Sequence, residues 1–520
     1  MDELSGRALM GAVTGLTSLG FCMIGYDNGL MGGLSMFSTL PTFSYVSGLL
    51  TLLWVVVVNT PSFLKTFHTP GANVIATIVA IFDAGAFLGA VATSIFAEKL
   101  GRRKTVAVGV LLMILGALLQ ATAYMRAHII VARVVSGMGM GVINSTVPVF
   151  QSEFSPKAKR GLYVCMQLST LNFGIFLVYW IDYAFSTTTS SYAWRVPVIL
   201  QCVFLLAMLI LIFIVPETPR WLAAHDRSDE SLAVLRRLRA HQLDDATILG
   251  IHSDILRAVA EEQAIGSGSW KTLLKADRIH SRRRLLIACG IQAFQQLGGI
   301  NALIYYSTTL FFSAGLTSHL SALMSGFLQL WFFLASFIPW ALIDRVGRRP
   351  LFLSTITLMA LTMAAQAALV YRVQHPSSPS AAHAASIAAC AMLFLFEGLF
   401  TVGFQATVWV YPTEILPLRL RQKGSAISTG ANWIFNFTVV EASPVMLERI
   451  GWRTYVVFAV LNATWVPIIY VFFPESKGRE LEDFDRLFAG EAEAGGEVEG
   501  AGEDGGMGIG HGDEDGGKFA

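Results

Sequence analysis

The chain has 520 residues, of which 54% are hydrophobic and 14% charged; with about half the charge of an average soluble domain, it cannot keep its surface in water. Its 37 basic and 36 acidic side chains leave a net charge of +1, which excludes the basic face that nucleic acid would require. No glycine loop ending in Lys-Ser/Thr, no zinc spacing and no nucleophile elbow occurs, so neither an enzyme, an ATP-driven pump, a cofactor nor a metal is expected.

Apolar runs of about 20 residues mark candidate spans. Twelve occur, near 8–33, 72–97, 105–125, 128–151, 162–184, 195–215, 285–312, 319–343, 351–371, 384–411, 425–447 and 453–473. Helices are the default, because hydrocarbon offers a backbone no partner outside its own segment. The opening MDELSGR lacks the basic lead and small-residue cleavage site of a removable signal, so the first span is expected to stay. Cys22, Cys165, Cys202, Cys289 and Cys390 are odd in number and lie inside the apolar runs, as small core residues do.

Lys and Arg cluster after span 2 (Lys99, Arg102, Arg103, Lys104), span 4 (Lys157, Lys159, Arg160), span 8 (Arg345, Arg348, Arg349) and span 10 (Arg419, Arg421, Lys423). These connections share one side, and the positive-inside rule makes it cytoplasmic, with both termini. Span 1 then runs outward and span 4 inward, which puts Asp27 of GYDNG and Arg133 of RVVSGMGMG at similar depth near the outer ends. A carboxylate there is costly unless paired.

Landmarks recur along the chain. EKLGRRK at 98–104 and DRVGRRP at 344–350 stand 246 residues apart, Glu153 and Glu414 stand 261 apart, and Pro216 and Pro474 stand 258 apart. Three pairs in one order imply a duplicated unit and two related six-helix halves, 1–215 and 285–489, an all-α membrane fold suited to a transporter. Between them, 216–284 carries helically spaced runs such as SLAVLRRLRA and is expected to form short helices under the bundle. Residues 491–520 hold eleven Gly and nine acids, too few apolar groups to offset ordering, so a disordered tail from 490 is expected.

Arg133 in RVVSGMGMG, EFSPKAKRG at 153–161, PETPRWL at 216–222, QQLGGINALIYYS at 295–307, YPTEILPLRLRQKG at 411–424 and PESKGREL at 474–481 together resemble the signature set of the sugar porter family of the major facilitator superfamily, closest to its fungal hexose transporter-like branch. The resemblance covers about 8–488. It implies a multi-pass plasma-membrane carrier that moves a monosaccharide by alternating access, coupled to protons, with a lipid bilayer as its surroundings and a monomer as its expected state. A passive facilitator, a porter for a polyol, disaccharide or quinate-like acid, and a non-transporting sugar sensor are the rival readings.

The resemblance also implies roles. Arg102, Arg103, Glu153, Arg348, Arg349 and Glu414 form inner-gate salt bridges that latch the two halves. Glu98 stands where the family more often has Asp. Gln167, Gln295, Gln296, Asn301, Trp409, Asn432 and Trp433 line the sugar site, where amides meet hydroxyls and indoles meet ring faces. Asp27 and Arg133 form the proton-coupling pair. Tyr305 and Tyr306 serve as an outer gate or as interface anchors. Phe332 replaces a span 8 Asn common in the family, which alters hydroxyl recognition. Residues 35–57 interrupt the usual run from GGL to VNTPSFLKTF. They are either an outer hairpin on the membrane or coding sequence that a correct transcript would remove.

Overall fold

The computed structural model describes residues 4–32, 61–68, 72–155, 160–185, 188, 190–240, 242–265, 280–416 and 421–477. The 35–57 stretch and the 490–520 tail lie outside the described residues. Every expected span is helical. Spans 1 to 6 are Gly6–Gly32, Ala72–Leu100, Arg102–Ala121, Arg126–Phe154, Arg160–Phe185 and Tyr192–Ile214. Span 7 is split into Ser281–Leu297 and Ile300–Ser313, and span 8 into Ser318–Ala335 and Pro339–Val346. Span 9 is Arg348–Gln374, span 10 runs from Pro379 to Ile415, and spans 11 and 12 are Arg421–Ile450 and Arg453–Phe472.

Ten of these helices are long and apolar enough to cross a membrane. Among the described residues the two that fall short are spans 7 and 11, which bury Gln292, Gln295, Gln296, Asn301, Asn432 and Asn436. Large apolar side chains are left exposed around the bundle, for example Ile95 and Leu115 on spans 2 and 3, Val203 on span 6, Leu334 on span 8, Leu361 on span 9 and Val460 on span 12. A soluble monomer does not expose such a belt.

Glycine pairs bring neighbouring backbones together. A Cβ at Gly85 or Gly89 of span 2 would sit 2.4 or 2.1 Å from the carbonyls of Val134 or Met138. Gly137 and Gly141 of span 4 stand in the same relation to Phe82 and Ala86, at 2.2 and 2.0 Å. Two small-xxx-small stripes thus face each other, the packing that substitutes for a hydrophobic drive between helices in lipid. The halves meet where span 2 runs along span 11 and span 5 along span 8, with span 1 touching span 7.

Three helices, Pro219–Ala224, Ser228–Arg239 and Asp245–Ile265, follow span 6. Val234, Leu235 and Leu238 turn inward, and Arg237 donates to the Leu4 carbonyl at 3.3 Å, which ties this layer to the start of span 1.

Candidate functional site

At the arginine-rich end both halves repeat one corner. Gly101 (φ 85°) and Gly347 (φ 101°) turn the chain into spans 3 and 9 in a conformation that L side chains rarely adopt. The first N–H groups of a helix lack intrahelical partners and attract anions. Glu217 of PETPRWL takes those of Arg102 (3.1 Å) and Arg103 (3.1 Å). Glu475 of PESKGREL takes those of Arg348 and Arg349, both at 3.0 Å. Burial pushes the Glu217 carboxyl above its ordinary range, against the pull of these N–H groups and the Arg102 charge.

The guanidinium groups then divide. Arg102 pairs with Glu153 at 3.3 Å and Arg348 with Glu414 at 2.8 Å. Arg103 and Arg349 do not meet those glutamates in this arrangement; they donate to the carbonyls of Phe213 (3.3 Å) and Tyr470 (2.6 Å). Both partners of each ion pair belong to the same half, so the expected latch between halves is instead a brace within each. A small cleft of about 40 Å³ lies beside it, lined by Thr93, Arg102, Thr146, Ser425 and Thr429, while Arg102 still holds Glu153.

Toward the opposite side, among the described residues, three bonds join the halves. Tyr305 donates to Asn28 at 3.1 Å, Thr77 to Glu441 at 3.0 Å and Tyr179 to the Ala322 carbonyl at 2.8 Å, each bond crossing between halves. Tyr306 is buried and donates to the Val440 carbonyl at 2.8 Å, at a kink in span 7 (φ −123°, ψ 20°).

Between the two sides lies an amide cluster. Span 7 breaks at Gly299 (φ 96°), where a Cβ would press 2.8 Å from the Phe458 ring, and Asn462 donates to the freed Gly298 carbonyl at 3.0 Å. The break brings amides from both pieces of span 7 onto span 11. Asn432 donates to Gln292 (2.7 Å) and Gln295 (3.1 Å) and accepts from Gln296 (3.0 Å). Asn301 donates to Gln296 (2.6 Å) and Asn436 (2.5 Å). Trp433 follows Asn432, sets its ring 6.4 Å from Phe82, and leaves its indole N–H without a hydrogen-bond partner.

Gln167 is buried with both amide atoms unpartnered. Five residues on, Asn172 exchanges bonds of 3.1 and 2.8 Å with Gln405 of span 10, one turn before Trp409. This amide pair joins the halves, and Asn172 also reaches the Phe332 carbonyl at 3.3 Å.

The ion pair lies in the other half. Arg133 holds Asp27 at 3.3 Å, with side-chain exposures of 1% and 0%. Its remaining donors go to the carbonyls of Ile78 (3.3 Å) and Val79 (3.2 Å), and its guanidinium stacks 4.3 Å from the Phe82 ring centre. The glycine stripes explain this reach: Arg133 stands one turn before Gly137, where spans 2 and 4 touch.

A family profile described as "Sugar (and other) transporter" matches residues 13–488. The chain belongs to the sugar porter family. It is therefore a membrane transporter and not an enzyme. It is 34% identical to the MFS-type transporter oryC of Aspergillus oryzae, over 93% of this chain and 86% of that one. Sugar transporter STL1 of Saccharomyces cerevisiae is 33% identical, over 94% of this chain and 82% of its own length. The solved proton:xylose symporter XylE superposes with a TM-score of 0.74 at 20% identity, covering 93% of this chain and all of that one. That likeness carries the major facilitator fold, twelve helices in two halves.

Four members of this sugar porter's polar interior escape motif reading: Gln292, Asn436, Asn172 and Gln405. Gln292 stands one turn before Gln295 and Gln296, and Asn436 one turn after Asn432, so 3.6-residue spacing alone could have found them. Gln405 stands one turn before Trp409 and carries the same signal, whereas Asn172 does not, and the pairing of the two depends on how the halves dock.

Proposed function

We propose that the protein carries a monosaccharide, a hexose or pentose, across the plasma membrane by alternating access and couples the movement to protons. The arginine-rich side is cytoplasmic, with both termini, and the working unit is a monomer. The observation that carries this reading is the joint burial of two unlike sites: a charged pair, Asp27–Arg133, in one half and an amide cluster around Asn432 in the other.

Amides both donate and accept, so Gln167, Gln295, Gln296, Asn301 and Asn432 suit a ring bearing hydroxyls, while Trp409 and Trp433 offer it flat apolar faces. Asp27 takes up a proton from outside and releases it inside as Arg133 approaches and recedes. Tyr305 and Tyr306 close the outer side. The Arg102–Glu153 and Arg348–Glu414 braces, with Arg103 and Arg349 beside them, hold the inner ends of each half rigid while the halves rock.

Uptake of labelled hexoses, pentoses, polyols, disaccharides and quinate into proteoliposomes, with and without a protonophore, tests the reading. A monosaccharide accumulated only under an inward proton gradient is expected, with Asp27→Asn left able to exchange but not to accumulate. Uptake that is insensitive to the protonophore would mean passive facilitation, and binding without uptake would mean a sensor.

A further inference from the structure

Arg133 is not matched by a single carboxylate. Asp83 of span 2 is 1% exposed and lies beside Arg133, Asp27 and the Asn436 amide, yet neither of its oxygens reaches a partner at hydrogen-bond distance. The neighbouring residue, Phe82, is the ring that touches both Arg133 and Trp433. Arg133 gives its donors to Asp27, Ile78 and Val79, which leaves Asp83 uncompensated. Two carboxylates sharing one guanidinium, out of water, do not both ionise.

We propose that Asp83 is a second proton-binding carboxylate of this carrier and the link between the ion pair and the sugar-binding amides. This rests on the proton-coupled reading above. Asp83 lies near Asn436 without a hydrogen bond to it in this arrangement, and from Asn436 a polar chain runs through Asn301 and Gln296 to Asn432, with bonds of 2.5, 2.6 and 3.0 Å. Asp83 belongs to one half and the chain to the other. The Asn436 carbonyl accepts from Asn301 and keeps a second lone pair, which an O–H of protonated Asp83 can use. A sugar hydroxyl that draws Asn301 or Gln296 away changes what Asn436 offers Asp83. Sugar binding and protonation thereby bias one another, and such linkage is reciprocal.

The titratable and charged groups facing Asp83 are few. Span 1 contributes Asp27, span 4 Arg133, and span 7 Tyr305 and Tyr306; Glu441 of span 11 lies beyond Tyr306. One proton therefore joins an Asp83 oxygen from the outer solvent and leaves to the inner one, with no electron transferred.

Asp83→Asn keeps the shape and the hydrogen bonding but cannot release a proton, so it separates a proton carrier from a structural amide partner. In proteoliposomes, using the labelled sugar that the uptake panel selects, Asp83→Asn should retain counterflow exchange and lose gradient-driven accumulation, while Asp83→Glu regains it. Accumulation by Asp83→Asn equal to the unmodified protein overturns the proposal. If the unmodified protein exchanges but never accumulates, the symport reading fails first and takes this inference with it; Asp27→Asn and Asp83→Asn are then indistinguishable from it. Should Asp83→Asn not fold, dicyclohexylcarbodiimide, which attacks protonated buried carboxyls, decides on the unmodified protein. An adduct at Asp83 by peptide mass mapping, reduced by the sugar, supports the proposal, and its absence overturns it.

Discussion

The two halves of the chain have the same corners and different hearts. At the arginine-rich end each builds one device from the same parts. A left-handed glycine turns into a helix whose first N–H groups bind a glutamate from far along the chain. One arginine then braces a second glutamate, and the next caps a carbonyl. At mid-depth the likeness stops. The N-terminal half buries Asp27, Asp83 and Arg133, and the C-terminal half buries Gln292, Gln295, Gln296, Asn301, Asn432 and Asn436. The helix-end device recurs in both halves, whereas the buried Asp27–Arg133 pair occurs in one and the Asn432 amide cluster in the other; each half also buries other polar groups, such as Asn144, Gln167 and Asp182 in the first and Glu397 in the second.

Breaking the charged heart has the largest expected effect. Arg133→Leu strands Asp27 and Asp83 together, and removing one partner of a buried ion pair costs about 3–5 kcal/mol; thermal unfolding in detergent should show a large fall in Tm. Breaking the amide heart costs less. Asn432→Ala leaves the amides of Gln292, Gln295 and Gln296 without a hub, at about 1–3 kcal/mol. It should raise the sugar concentration needed for half-maximal counterflow by roughly a factor of 5 to 100, with the proton-to-sugar ratio unchanged.

The corners sharpen the comparison. Gly101→Ala and Gly347→Ala each force an L residue into a left-handed turn against a carboxylate, at about 1–2 kcal/mol apiece. Equal losses of Tm are expected, and a loss at one corner only would show that the devices are not equivalent. The smallest effect belongs to the seam between halves. Tyr305→Phe deletes one hydrogen bond to Asn28, about 0.5–1.5 kcal/mol, and should give the smallest fall in Tm of the series.

Much of this was legible in the residues. Span number, the doubled plan and the pairing of Asp27 with Arg133 follow from apolar length, arginine placement and the direction of each span. The motif resemblance placed Gln295, Gln296, Asn301 and Asn432, and the structure bonds these four into one cluster. Arg103 and Arg349 were less readable. A guanidinium at a helix start can reach a carbonyl as easily as a carboxylate, and only the position of span 6 or span 12 chooses. Glu217 and Glu475 sat in plain view inside their motifs, but a carboxylate 115 residues from the N–H it accepts leaves no local trace.

Sequence alone therefore determined the solvent, the number of the helices and many of the residues worth burying, because hydrophobic length and charge placement act through each segment by itself. Tertiary structure decided that the arginine braces stay inside their halves, that Asn172 meets Gln405, and that Asp83 lies buried near the Asp27–Arg133 pair with no hydrogen-bond partner for either oxygen. Those outcomes depend on the angle and depth at which helices dock, and docking is set by backbone contacts at glycines that no single segment encodes.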